Sequence, residues 1–372
     1  VPDTRLALGH LAADWRRRFA LPLVGLTGSN GKTTVKEMLA AILAAHCGER
    51  ACVLATQGNL NNDIGVPLTL LRLREQHRFA VVEMGMNHAG EIEHLARLAR
   101  PSVAIVTNAQ RAHVGMLGSV EAIARAKAEI YAGLEASGIA VVNADDAFAP
   151  YWRRLNAKRQ TVTFGLGEGA DVRAKRSGSE LRFITPADTF VVTLQVAGEH
   201  NVRNALAACA AAHALAIPAR AMRAGLATFS GVPGRLQRRR LVGGGTLIDD
   251  SYNANPESMQ AAIEVLAAER ARKVLVIGDM GELGAEAGSM HAEVGAFARA
   301  ASIDALLALG VSSRLAAEAF GQGAQHFDDV EALLAAARGE AERGATILVK
   351  GSRFMHMERV VDALAQGGTD AL

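Results

Sequence analysis

Little in this sequence leans toward one sign of charge: 40 Lys and Arg stand against 38 Asp and Glu in 372 residues, a formal net charge of +2. A nucleic-acid footprint needs a clustered basic excess, so no nucleic-acid partner is expected. The one basic run, Arg235 to Arg240, is short and sits beside Gly-rich turn residues; it reads as a solvated strand carrying one or two functional arginines. Cysteine is almost absent. The three present, Cys47, Cys52 and Cys209, are an odd number without metal spacing, the usage of a reducing cytosol. No apolar run reaches the roughly 18 residues of a membrane span, and no signal-peptide pattern is present. These absences predict a cytoplasmic chain. A Gly-x-Gly-x-x-Gly dinucleotide pattern is also missing from the stretch past Gly234, so a doubly wound fold there would not by itself predict NAD binding.

What the chain has in quantity is apolar sequence, 50% by count, enough for a large core without disulfides. Its length suggests two or three domains. Residues 4 to 19 read as a lead-in helix. Continuous apolar strands then alternate with helices. The strands are expected at 21–26, 79–84, 103–108 and 139–143, the helices at 90–98 and 120–134. Such alternation means a mainly parallel sheet covered on both faces. Between Thr161 and Val196 shorter alternating runs predict antiparallel strands appended to that sheet. Helices follow at 201–216 and 219–229. Ser230-Gly231-Val232-Pro233-Gly234 is the clearest boundary. Beyond it, strands at 246–249, 273–277, 305–309 and 346–349 alternate with helices as in a doubly wound domain. The expected architecture is α/β throughout: a lead-in over 1–20, a central P-loop-type domain over 21–232, and a smaller, Rossmann-like domain over 233–372.

The motif that organises this frame is Thr27-Gly28-Ser29-Asn30-Gly31-Lys32-Thr33-Thr34, between the first strand and a helix. Glycines let backbone N–H groups approach phosphates, and the helix N-terminus adds partial positive charge. Lys32 can reach the outer phosphates, and the Thr33 hydroxyl can ligate Mg²⁺. The spacing is the short Thr-Gly-x-x-Gly-Lys-Thr-Thr form, not the general P-loop. It reads as an ATP site.

Functional groups in open α/β sheets gather beyond the carboxyl ends of strands. Glu83 and His113 lie in such positions and are plausible Mg²⁺ ligands beside bound phosphates. Lys127 on the next helix would, alone, be a solvated lysine. Asn201 and Asn204 stand one turn apart at a helix start. Asp249-Asp250-Ser251-Tyr252-Asn253-Ala254-Asn255-Pro256 carries more acids and amides than a turn requires. Gly278 to Leu283, with Asp279, and Val349 to Arg353, with Lys350, are further strand-end loops.

In this order, the phosphate loop, Glu83, His113, Lys127, His200-Asn201-x-x-Asn204, Arg235 and Asp250 resemble the Mur ligases, ATP-dependent enzymes that add amino acids to peptidoglycan precursors. The resemblance spans nearly the whole chain. Gly58-Asn59-Leu60-Asn61-Asn62-Asp63-Ile64-Gly65-Val66-Pro67 and the three loops after Asp249, Gly278 and Val349 are most similar to members that add D-alanyl-D-alanine. The Asp-Asn-Pro-Arg motif of the diaminopimelate- or lysine-adding members is absent.

The resemblance implies roles. Lys32 and the loop amides of 27–34 would hold ATP phosphates, with Thr33 and Glu83 on one Mg²⁺ and His113 on a second. Lys127 matches a lysine that is carbamylated in the family, which would let it help hold a metal. Asn204, Arg235 and Asp250 would contact ATP. Asn59, Asn61, Asn62, Ser251, Tyr252, Asn253, Asn255, Asp279, Lys350 and Arg353 are candidates for the small-molecule substrates, UDP-N-acetylmuramoyl-tripeptide and D-Ala-D-Ala. The implied reaction activates the tripeptide carboxylate as an acyl phosphate, which the dipeptide amine then attacks. A monomer is expected. Family members carry an amino-terminal domain that binds the uridine diphosphate end; only the short lead-in over 1–20 precedes the phosphate-loop strand here, so that domain is expected to be missing from this chain. The competing readings are a Mur-type ligase for another amine, an ATP-binding module without turnover, and a P-loop kinase or GTPase switch.

Overall fold

A computed structural model describes residues 1–178, 180–241 and 245–365. The expected end of the last domain, beyond residue 365, lies outside the described residues. The chain divides into two compact units. One comprises Val1–Gln110 and Leu117–Ser230; the other comprises Arg111–Met116 and the chain from Gly231 onward.

The first unit is built on six parallel strands: β1 (Leu23–Thr27), β2 (Val53–Ala55), β3 (Phe79–Glu83), β4 (Val103–Val106), β5 (Ile139–Asn143) and β6 (Thr161–Phe164). Their order is β2-β3-β1-β4-β5-β6. All residues of β1 and β3 are buried, as expected for strands covered on both faces. The chain leaves β1 toward one edge, returns through β3, and crosses to β4 on the other side. The loop after β1 therefore sits at the topological switch point, where open α/β sheets bind ligands. Parallel register sets Leu26 beside Glu83 and Thr27 beside Val106. The ends of β3 and β4 thus flank the phosphate loop.

Several boundaries differ from expectation. The lead-in helix, α1 (Thr4–Arg16), stops three residues early. There the buried Arg16 guanidinium donates to the carbonyls of Phe19, Leu21 and Ala99, and the chain wraps around it. The helix expected over 120–134 is α-helical only at Val120–Ala128 and tightens into a 3₁₀ turn at Glu129–Gly133. Gly133 packs against the Ala96 backbone where a Cβ has no room. The antiparallel strands β7 (Arg173–Ser177), β8 (Glu180–Ile184) and β9 (Thr189–Val192) stand within the expected 161–196 stretch. They form their own three-stranded sheet, joined to β6 by a single bridge between Phe164 and Val172. Cys47 and Cys52 are disulfide-paired, which an odd cysteine count did not anticipate; Cys209 is free and buried.

The second unit carries β10 (Gln237–Arg240), β11 (Thr246–Asp250), β12 (Lys273–Gly278), β13 (Ala305–Leu309), β14 (Ala324–Phe327) and β15 (Thr346–Lys350), in the order β10-β11-β15-β12-β13-β14. Only β10 is antiparallel. Alternate strand residues feed two cores. Ile248, Leu275, Ile277, Leu306 and Leu348 pack with helices Pro256–Ala267, Ala287–Ala300 and Ser313–Phe320. Leu247, Val274, Val276, Leu307 and Val349 pack with Val330–Glu342 and Glu358–Ala365. The sheet is doubly wound, as its apolar strands predict. Among the described residues no helix is long and apolar enough to cross a membrane.

Candidate active site

The phosphate loop is held open from the β4 side. Ser29 N–H donates to the Asn108 carbonyl (3.0 Å) and Asn30 N–H to Asn108 Oδ1 (2.9 Å). The Thr107 hydroxyl donates to the Asn30 carbonyl (2.7 Å), and Gln110 N–H donates to Ser29 Oγ (2.9 Å). Two glycines are required here for definite reasons. Gly28 has φ +151° and a Cβ on it would run into Thr107 Oγ1; Gly31 has φ +82° and a Cβ would run into Asn204 Oδ1. Gly31 also precedes the first residue of α2 (Lys32–Cys47), so the loop delivers its amides to a helix N-terminus. The Lys32 ammonium folds onto the carbonyls of Gly28 (2.7 Å) and Ser29 (3.3 Å). Thr27 Oγ1 is buried at the strand end with no hydrogen bond. Thr34, the last residue of the motif, is buried in α2.

On the β3 side, the Thr33 hydroxyl meets Glu83 Oε2 at 3.1 Å, and Asn61 Nδ2 donates to Glu83 Oε1 at 2.9 Å. Glu83 is 2% exposed. A hydroxyl and a carboxylate oxygen beside an amide-lined anion cradle are hard donors, a set that suits Mg²⁺ bridging phosphates. Among the described residues no group of three or more His, Cys, Asp or Glu could hold a metal, so phosphate oxygens would have to complete such a site. The residues fit a nucleotide with its magnesium.

Lys127, 1% exposed, lies in the helix Val120–Ala128. Burial drives its ammonium well below the ordinary lysine value, and the nearby Lys32 cation pushes the same way. The bland reading of a solvated lysine is excluded. His113, at φ +65°, belongs to the second unit, where its Nδ1 lies 2.6 Å from Glu282 Oε2. The same short segment is anchored by Arg111, whose guanidinium meets Glu257 (2.5 Å) and Glu293 (2.7 Å).

In the second unit, the register of β11 on β15 sets Asp250 beside Lys350, and the two form a buried pair at 2.6 Å. Burial pushes the Asp250 carboxyl up and the Lys350 ammonium down, each against the pull of its partner. Lys350→Met would leave that carboxylate buried without its cation, a loss of about 3 kcal/mol at neutral pH. Asp250 would then bind its proton more tightly folded than unfolded, so the variant loses stability as pH rises above the ordinary carboxylate range and recovers it on acidification. Thermal midpoints from pH 4 to 8 check the sign.

Tyr252 is flanked by two guanidiniums, Arg235 at 4.2 Å and Arg353 at 5.8 Å from its ring centroid. The structure gives other candidates architectural partners. Asn255 caps the helix Pro256–Ala267 in a capping box with Ser258. Ser251 Oγ donates to Asp249 (2.6 Å), Asn253 Oδ1 accepts from Ala254 N–H (2.9 Å), and Asn62 Oδ1 accepts from Gly65 N–H (2.8 Å) at a helix start. Asn59 is exposed and its carbonyl accepts from Asn61 N–H (2.8 Å). Asp279 accepts from the amides of Val311 (3.0 Å), Ser312 (3.2 Å) and Ser313 (2.7 Å), at the start of the helix Ser313–Phe320. Asp279→Ala should therefore cost about 1–2 kcal/mol of cap energy, read as a lower urea midpoint. In the first unit, Asn204 Nδ2 donates to Asn201 Oδ1 (3.1 Å), which presents Asn204 Oδ1 to Gly31.

Thr107, Asn108 and Gln110 have no motif of their own; the signal for them was only that they follow an apolar strand. Lys36, inside the helix that follows the phosphate loop, and Thr56, after the short strand β2, likewise belong to no motif.

Comparison with known proteins agrees with this geometry. Residues 26–212 match the Mur ligase middle domain and residues 234–353 the domain described as Mur ligase, glutamate ligase domain. The chain is 45% identical to the UDP-N-acetylmuramoyl-tripeptide--D-alanyl-D-alanine ligase of Escherichia coli K12, over 99% of this chain and 82% of that protein. It is 36% identical to the ligase of that name from Bacillus subtilis 168, over 98% and 80%. A crystal structure of MurF from Acinetobacter baumannii superposes with a TM-score of 0.93 at 39% identity, covering 98% of this chain and 81% of the other. MurF from Thermotoga maritima in complex with ADP gives 0.85 at 29% identity, covering 99% and 84%. The chain belongs to the Mur ligase family.

Proposed function

We propose that this chain, acting as a monomer in the cytoplasm, uses ATP to join D-alanyl-D-alanine to the terminal carboxylate of UDP-N-acetylmuramoyl-tripeptide. The observation that carries the reading is near-full-length likeness to ligases named for this reaction. In the proposed division of labour, residues 21–232 bind ATP and residues 233–372 complete the ligase.

A carboxylate does not accept an amine unaided, because its leaving group would be oxide. Transfer of the γ-phosphoryl group to a carboxylate oxygen gives an acyl phosphate; amine attack then expels phosphate and forms the amide. Magnesium, when bound, neutralises charge on the transferring phosphoryl group. Thr33 and Glu83 would hold one ion; Lys127, as a carbamate, and His113 are each proposed as further metal ligands. The loop amides of 28–34 bind and orient phosphates, and Lys32 leaves its carbonyl partners to follow the outer ones. Burial pushes the Lys127 amine toward its neutral form, the form that adds CO₂. Asn204, at the mouth of the loop, and Arg235 with Asp250 are the remaining nucleotide contacts. Tyr252, Asn253 and Arg353, with Asn59, Asn61 and Asn62, are proposed to face the peptide substrates.

Phosphate release is the test, with tripeptide and D-Ala-D-Ala supplied separately and together. Release that requires both supports the reading. Turnover with a single amino acid would keep the family and reject the dipeptide donor. Tight ATP binding without turnover would leave a binding module.

A further inference from the structure

One buried cation in the first unit is not needed by any step above. Lys36 sits one turn after Thr33 on α2, and only 1% of it is exposed. Its Nζ donates to the Thr56 carbonyl at 2.6 Å and pairs with Glu37 Oε1 at 3.0 Å. Thr56 follows the end of β2 and is itself 1% exposed. It is bound twice to β3: its N–H donates to the Val81 carbonyl (3.1 Å), and its hydroxyl accepts from the Glu83 N–H (2.9 Å). A continuous chain therefore runs from the Lys36 ammonium through Thr56 to the backbone of Glu83.

Burying an ammonium costs several kcal/mol before its partners offset it, and an apolar side chain of similar volume is often as stable or more so. Helix propensity gives no reason for lysine over methionine at this position. The contacts show what the lysine does. Residues three apart share a helix face, so Thr33 and Lys36 both look toward the β2–β3 edge. Thr33 meets the Glu83 carboxylate at 3.1 Å, while Lys36 holds the residue that fixes the Glu83 main chain. The phosphate helix is thus tied to β3 at two points, one at the donor atoms and one behind them.

We propose that Lys36 and Thr56 are positioning residues for the Glu83 carboxylate: the Lys36–Thr56–Glu83 chain fixes the separation of Glu83 from Thr33 at which the two share one divalent cation. The inference rests on the reading of Thr33 and Glu83 as metal ligands. Lys36 and Thr56 are assigned no contact of their own with the metal or the phosphates; their partners are Glu37, Val81 and Glu83 and each other.

The test uses Mn²⁺ in place of Mg²⁺, with ADP present and free Mn²⁺ read by electron paramagnetic resonance. Lys36→Met removes the ammonium, and Thr56→Val removes the hydroxyl while keeping the carbonyl. Each should raise the Mn²⁺ dissociation constant about tenfold, the scale on which outer-sphere partners act. The double variant should be no weaker than either single one, because both act through one carboxylate. ADP affinity without metal should be unchanged, and KM for the dipeptide likewise. A merely structural role would lower the thermal midpoint and leave Mn²⁺ affinity of the folded fraction intact; that outcome overturns the proposal. If Lys36→Met fails to fold, Thr56→Val alone decides on the same criterion. Glu83→Gln separates the two levels. If it leaves Mn²⁺ affinity unchanged, the assignment of Glu83 as a ligand falls; if it weakens binding while both outer variants do not, only the positioning role falls.

Discussion

Lys127→Ala lowers ligation about 1,000-fold while ADP binding stays within a few-fold of wild type. The magnitude is that of removing one preorganised charge from a transition state. The asymmetry between binding and turnover follows from position. In the proposed site the loop amides and Lys32 would cradle the phosphates, whereas Lys127 is a buried helix residue with the Lys32 cation as its charged neighbour. A second readout follows from the burial. An ammonium that is 1% exposed and held well below its ordinary value opposes folding whenever it is protonated. Between its folded and unfolded values the unfolded chain binds more protons, so stability rises with pH across that window. Lys127→Met in CO₂-free buffer should remove this slope and leave the fold at least as stable as wild type below pH 8. Thermal midpoints against pH, beside single-turnover rates, check both halves. A variant that is inactive because it is unfolded would contradict the account.

Gly28→Ala should weaken ADP binding by about 100-fold and cost about 1–3 kcal/mol of stability. Two independent strains combine at this residue. Its φ of +151° is a conformation that L side chains rarely adopt, and the added Cβ would occupy the place of Thr107 Oγ1. That hydroxyl donates to the Asn30 carbonyl at 2.7 Å, so displacing it loosens the clamp that holds the loop amides toward a ligand. Calorimetric titration with ADP and urea unfolding measure the two effects. Thr107→Ser keeps the hydroxyl, removes the methyl, and should leave both quantities near wild type. Equal loss in both variants would show that the clamp, not the glycine, sets the loop.

Local pattern was enough for most of the frame. Residues 305–309 stand as a strand at the expected positions, and the strands expected at 246–249, 273–277 and 346–349 extend one residue further, whereas the edge strand Ala324–Phe327 was not expected. The reason is physical: fully buried parallel strands are continuous apolar runs that end abruptly at Gly, Asp or Lys. The phosphate loop was legible for the same reason, since its glycines, Lys32 and Thr33 are contiguous. What stayed hidden depends on strand order. That β3 and β4 both neighbour β1 brings Glu83 and Asn61 to one side of the loop and Thr107 to Gln110 to the other. Neither neighbour is deducible from one chain read linearly. The split at 128–129 was missed because helical periodicity continues through a 3₁₀ turn. Candidate substrate residues fared unevenly. Tyr252 and Arg353 come together, whereas Asn255 and Asp279 cap helices, the ordinary use of Asx residues in strand-end loops.

The central claim is that the site activates a carboxylate by phosphorylating it. Tripeptide substrate carrying ¹⁸O in both oxygens of its terminal carboxylate tests this directly. Transfer through an acyl phosphate breaks one carboxyl C–O bond, so after a single turnover with ATP and D-Ala-D-Ala the account predicts one ¹⁸O in the released phosphate and one in the new amide carbonyl. Phosphate free of ¹⁸O, released while the dipeptide product forms, would contradict it.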